Sequence, residues 1–134
     1  MKLRESNFRQ VEAFMRACEQ DVKGFPQFPE DSTISLRLSL IHEEVHELVE
    51  AIQDRDIVEV ADALTDILYV VYGAGHAFGI DLDMCFNEVQ RSNMSKVMPN
   101  GKVQKNSEGK VMKPETYSEP NLEQVLFHDQ YINY

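Results

Sequence analysis

The stretch from His42 to Asp66 constrains the fold more than any other part of the chain. It reads HEEVHELVEAIQDRDIVEVADALTD and carries nine acids (Glu43, Glu44, Glu47, Glu50, Asp54, Asp56, Glu59, Asp62 and Asp66) against one base, Arg55. The same stretch places Val, Leu and Ile at three- and four-residue steps, the spacing of an amphipathic helix. It must therefore pack an apolar side while crowding carboxylates on another. Like charges at this density repel and push carboxyl pKa values up. Almost no Lys or Arg is interleaved one turn away, so the usual ion-pair lacing of a solvated helix is missing. A hard divalent cation such as Mg²⁺ or Mn²⁺ removes the conflict by taking carboxylate oxygens as ligands. A plain solvated acidic face is the other reading that the spacing leaves open.

Apolar periodicity predicts an all-α chain. A first helix is expected over 6–23, with Ser6 as N-cap, Phe8, Val11, Met15, Cys18 and Val22 on one side, and Gly24 as the stop. Residues 24–31, GFPQFPED, read as a loop whose Phe25 and Phe28 either plug the edge of the core or close over a ligand. A second helix starts at Asp31, Ser32 or Thr33 and runs to Arg55. Ile34, Leu38, Ile41, Val45, Leu48, Val49 and Ile52 lie on one side and Glu43, Glu47 and Glu50 on the other, with Glu44 at the flank and Leu36 and Leu40 on the acidic side. Asp56 can cap a third helix, Ile57 to Phe78, closed by Gly79. Its stripe is Ile57, Val60, Leu64, Ile67, Leu68 and Val71, opposite Glu59, Asp62 and Asp66. The break between these two helices is short, so they pair antiparallel and their acidic faces can meet. A fourth helix is expected over Leu82–Ser95. Residues 99–118 hold Lys-rich, Gly-punctuated segments that suggest a small hairpin or extended arm. A short last helix then spans Asn121–Phe127.

Bulk properties narrow the function classes. With 134 residues the chain has one domain's worth of core, and 43% hydrophobic with 27% charged residues is the balance of a soluble globular protein. No apolar run is long enough for a membrane span and the N-terminus has no signal-peptide core. Cys18 and Cys85 fall within expected helices, so buried reduced thiols and a cytoplasmic location, in a bacterium or a phage-infected host cell, are the expectation. A net charge of -10 argues against a nucleic-acid groove. It leaves nucleotides open, provided metals stand between carboxylates and phosphates.

A competing motif overlaps the acids. His42-Glu43-Glu44-Val45-His46 matches H-E-x-x-H, in which two His one turn apart hold Zn²⁺ and the Glu serves as general base of a metalloprotease. The pattern is short, a charged Glu44 inside it is unusual, and no third ligand is marked. The remaining alternative is a non-catalytic helical interaction module that keeps the acid face for solubility.

Spacing then leads to a family. Glu43, Glu44 and Glu47 form E-E-x-x-E, and Glu59 and Asp62 form E-x-x-D on the next helix, eleven residues on. RSNMSKV (91–97) and GKVMKPETYSEPNLEQVL (109–126) follow. Over residues 34–126 the chain resembles the all-α nucleoside triphosphate pyrophosphohydrolase superfamily, in particular its small MazG-like, phosphoribosyl-ATP-pyrophosphohydrolase-like members. The gap between the two acid motifs is short for that group. The resemblance implies a four-helix-type bundle with a C-terminal arm (98–134), within a single domain spanning 1–134. It implies hydrolysis of a (d)NTP, such as dGTP or dUTP, to (d)NMP and diphosphate. It makes Glu44, Glu47, Glu59 and Asp62 ligands of two or more Mg²⁺ (or Mn²⁺) ions, and Glu43 the residue that orients or deprotonates the attacking water. Asn93, Lys96, Lys110, Lys113 and Tyr117 become phosphate and sugar contacts. Homodimers, or tetramers built as dimers of dimers, are also implied. Asp54 and Asp56 then fall to the turn, and Glu50 and Asp66 to supporting or surface roles.

Overall fold

A computed structural model describes residues 4–128. Among them are five helices: α1 (Asn7–Ala17), α2 (Asp31–Gln53), α3 (Ile57–Phe78), α4 (Leu82–Met94) and α5 (Leu122–Phe127). They contain no strand, only an isolated antiparallel bridge between Lys105 and Val111. The all-α expectation holds. By its contacts the chain forms two compact units, one ending at Leu82 and the other beginning at Asp83.

In the first unit α3 packs against both α1 and α2. Ser6 starts α1 by accepting the Arg9 N–H on its Oγ at 3.1 Å. The helix ends at Ala17, short of the expected Gly24. Glu19 takes a left-handed φ of 58°, the Gln20 N–H bonds the Met15 carbonyl and the Glu19 N–H bonds that of Arg16. This doubly hydrogen-bonded stop usually uses glycine, which is why sequence alone placed it five residues late. Arg55 closes α2 in the same manner at φ 54°, with Asp56 N–H on Ala51 O and Arg55 N–H on Ile52 O. Asp56 then caps α3 through Oδ1, which accepts from Val58 N–H and Glu59 N–H.

Phe8, Val11 and Met15 of α1 are buried. Of the two cysteines expected to be buried, the structure buries Cys85 and leaves Cys18 exposed. The Phe8 ring stacks on His76 at 3.8 Å, and His76 Nε2–H donates to the Phe8 carbonyl at 2.8 Å. Gly79 ends α3 at φ +69° beneath the Phe25 carbonyl. The loop after α1 docks there: Lys23 N–H bonds His76 O, Gln27 N–H bonds Phe78 O, and Phe28 meets Phe78 edge-on at 5.7 Å. Phe78 lies twelve residues beyond Asp66, about 18 Å along a helix. The loop therefore caps the far end of α3 and does not close over the acids.

The α2–α3 seam differs from the expected division into apolar and acidic sides. Its buried residues are Arg37 and Ala51 of α2 and Ala63, Gly73 and Ala77 of α3. Small residues allow close approach, and Glu44 and Asp66 lie on the same inward arcs. The predicted apolar stripes are left largely open: Leu38, Val45, Val49 and Ile52 on α2, and Ile57, Leu64, Leu68 and Val71 on α3, are exposed.

In the second unit, Glu88 and Arg91 of α4 pair at 2.6 Å. Arg91 also donates to Ser118 Oγ and the Glu119 carbonyl, while Glu88 accepts the Asn121 N–H at 2.7 Å. These bonds hold the start of α5 on α4, and the Arg91 hydrogen bond pulls the Glu88 pKa down to about 2. The expected hairpin is reduced to a tight loop, with Asn106 N–H on Lys110 O and Met112 N–H on Gln104 O.

Candidate metal centre

Glu44 and Glu47 are three apart on α2, and Asp62 and Asp66 four apart on α3, so each pair shares a helix face. Arg37 contacts Gly73, and Glu44 meets Asp66 seven residues forward on α2 and seven back on α3. The helices are therefore antiparallel and in register. One carboxylate oxygen from each of Glu44, Glu47 and Asp66 lies within 4.8 Å of the other two.

Electrostatics marks the same group. Burial raises the Glu44 pKa, helped by the Glu47 charge, a hydrogen bond to Glu47, and the charges of Asp66 and Glu43. Burial also raises that of Asp66, with Asp62 and Glu47 adding to it. Two carboxylates can share a hydrogen bond only if a proton lies between them, and Glu44 Oε2 is buried with no partner at all. A half-buried acid cluster with an orphaned oxygen is an unfavourable arrangement by itself. It is well matched to a hard divalent cation, which takes oxygen ligands and keeps waters.

The structure thus joins Glu44, Glu47 and Asp66, with Asp62 beside Asp66 and Glu43 beside Glu44. Glu59, an expected ligand, is not in this group. It sits seven residues from Asp66, about 10 Å along α3, exposed and in the first turn. Asp66, expected in a supporting or surface role, is the third carboxylate of the group. The second acid motif is shifted by one turn or more: the effective pair is Asp62 and Asp66, spaced D-x-x-x-D. The available signal was the register: Glu44 and Asp66 stand eleven residues to either side of Arg55, level with each other in an antiparallel pair.

His42 and His46 are exposed and lie on the opposite side of α2 from Glu44. His46 Nε2 meets Glu50 at 3.2 Å, and neither belongs to a cluster of three or more possible ligands among the described residues. The H-E-x-x-H reading finds no zinc site here.

The remaining expected contacts lie in the second unit. Lys96 Nζ donates to Asn93 Oδ1 at 3.0 Å, and Lys96 and Lys113 stand 5.9 and 5.0 Å from the Tyr117 ring centre. Four of the five expected residues thus form one cationic patch, at the edge of an open cleft of about 630 Å³ lined by Met98, Gln104, Lys113 and Thr116. Lys110 belongs to the tight loop instead, its backbone N–H held by Asn106 Oδ1 at 2.9 Å.

The sequence profile of the phosphoribosyl-ATP pyrophosphohydrolase family matches residues 11–93, which contain the whole acid cluster. An uncharacterized protein of Acanthamoeba polyphaga mimivirus is 54% identical over 61 residues, 46% of this chain and 24% of that protein. The aligned part spans about a quarter of that relative's length. With most of its length matched by the family profile, and an all-helical fold that brings three carboxylates together, the chain belongs to the phosphoribosyl-ATP pyrophosphohydrolase family, within the MazG-like all-α nucleoside triphosphate pyrophosphohydrolases.

Proposed function

We propose that the chain is a cytoplasmic, Mg²⁺- or Mn²⁺-dependent pyrophosphohydrolase that converts a (d)NTP, such as dGTP or dUTP, and water to (d)NMP and diphosphate. The meeting of Glu44, Glu47 and Asp66 around an unpartnered buried oxygen carries this reading. Glu44, Glu47 and Asp66 would hold the metal, with Asp62 completing the set. Bound divalent ions supply neutralisation of the polyphosphate charge and of the charge that develops on the leaving diphosphate. Glu43, exposed and adjacent to Glu44 in sequence, orients or deprotonates the attacking water; a carboxylate among other carboxylates is a stronger base than a free one. Asn93, Lys96, Lys113 and Tyr117 have the chemistry of phosphate and sugar contacts. The chain acts as a homodimer or a dimer of dimers: the open stripes of α2 and α3 put eight large apolar side chains in water, and a second copy is the covering that the resemblance implies. A panel of dNTPs and NTPs, each with Mg²⁺ or Mn²⁺ and read by diphosphate release, tests the reading. Release from at least one triphosphate, with monophosphate as co-product, is expected. Release of orthophosphate, or no turnover of any, would refute it.

A further inference from the structure

Arg37 is the other unsatisfied group of the α2–α3 seam, and the metal reading does not use it. The residue is 8% exposed and its Nε is buried with no hydrogen-bond partner. Among the described residues its one hydrogen bond runs from Nη2 to Gln20 Oε1 at 3.4 Å, and no carboxylate lies within ion-pair distance. The guanidinium lies across Gly73, where a Cβ would come within 2.7 Å of Nη1 and 3.9 Å of Met15 Sδ. Burial holds its pKa below the usual arginine value. A buried charge with no counter-charge destabilises a fold, and a neutral side chain of similar length would fill the space without that penalty. The position makes sense if the counter-charge arrives with a ligand.

Its location says which ligand. Arg37 and Gly73 sit in the same seam as Glu44 and Asp66, two turns or about 10 Å away. A polyphosphate anchored through metal on the acids and laid along the seam brings a free oxyanion toward that point. Guanidinium is the side chain whose fork matches an oxyanion with two parallel N–H bonds.

We propose that Arg37 is an anion-binding residue of the substrate site, taking phosphate oxygens at the end of the polyphosphate remote from the metal-bound end, with Gly73 providing the space for its guanidinium. This rests on the pyrophosphohydrolase reading for the identity of the substrate, but the anion site can be tested without it.

The first probe is inorganic phosphate, added to metal-free protein in EDTA at constant ionic strength, with chloride as the control. Phosphate at millimolar concentration should raise the melting temperature of the wild type and leave that of Arg37→Met unchanged. Arg37→Met should melt at or above the wild type without ligand, because the unpaired charge is gone. Arg37→Lys, which keeps the charge and loses the fork, should fold and show an intermediate shift; it also serves if the Met variant does not fold. With Mg²⁺ and a turned-over triphosphate, Arg37→Met should raise KM at least tenfold and change kcat by much less. Equal phosphate shifts in wild type, Met and Lys variants would overturn the proposal. So would an Arg37→Met that melts several degrees lower with KM unchanged, which is the behaviour of a purely structural arginine. If the wild type hydrolyses no triphosphate yet its phosphate shift depends on Arg37, the activity reading fails and the anion site stands.

Discussion

Substituting Gly79 by Ala tests how tightly the loop after α1 is tied to α3. Gly79 sits at φ +69°, and an L-residue held in that region costs about 1–2 kcal/mol. Sterics add to this. A Cβ there overlaps the Phe25 carbonyl oxygen and comes within 2.6 Å of the Phe25 carbonyl carbon and 3.0 Å of Lys23 Cβ. The first two contacts are backbone, so a side-chain rotation cannot relieve them. The loop must lift, and lifting it breaks the Lys23 N–H bond to His76 O at 3.0 Å and the Gln27 N–H bond to Phe78 O at 2.9 Å. Each such bond contributes about 1 kcal/mol net. The combined loss is about 3–4 kcal/mol. For a domain of this size that lowers the melting temperature by roughly 10–20 °C. Thermal unfolding followed by circular dichroism reads it directly. The control is Gly73→Ala, whose new Cβ meets the movable Arg37 side chain and should cost less than about half as much. A Gly79→Ala variant melting within ~3 °C of the wild type would refute the reasoning, since neither the left-handed turn nor the docked loop would then matter.

Three further perturbations follow from the caps and the buried groups. Glu19→Gly should stabilise the protein by about 0.5–1 kcal/mol, because glycine relieves the left-handed strain and returns part of the gain as backbone entropy; a drop in melting temperature would contradict the stop assigned to α1. His76 is buried against Phe8 with its pKa lowered, chiefly by burial, so its contribution is present above the ordinary histidine value near 6.5 and is lost as pH falls below it. Urea titrations at pH 7.5 and 5.5 should show that loss in the wild type and not in His76→Gln. Glu44→Gln should raise the stability of the metal-free protein by removing one of three repelling carboxylates. It should also abolish the rise that saturating Mg²⁺ gives the wild type, about 2.7 kcal/mol at a hundred times Kd.

The elements whose limits rest on side-chain chemistry could be read from sequence. Asp56 and Gly79 fixed α3 to the residue, and Ser6 and Asn121 marked two other starts. Glu19 could not be read as a stop, because nothing in its side chain announces a left-handed backbone. The acid-rich pair of helices was also evident, but which acids meet depends on the rotation and register of α2 against α3. Ala51, Ala63, Gly73 and Ala77 set the rotation by letting the helices approach along small residues. Rotation does not separate Glu59 from Asp66, which are seven residues apart and share a face. Register does: Glu44 lies level with Asp66, and Glu59 lies two turns nearer the break between the helices. The E-x-x-D spacing points to Glu59 and carries no information about that register. Arg37 gave no signal, since an arginine on a helix is ordinarily solvated.

Asp66 is proposed to hold the metal with Glu44 and Glu47, and Glu59 to lie outside that set. The direct test is diphosphate release from the best triphosphate of the panel, with Mg²⁺, by Asp66→Asn and Glu59→Gln, each first shown to melt cooperatively. Asp66→Asn should lose about two orders of magnitude or more in kcat, the scale of removing one group that holds transition-state charge, and Glu59→Gln should stay within a few-fold of wild type. Full activity in Asp66→Asn with loss in Glu59→Gln would contradict that assignment.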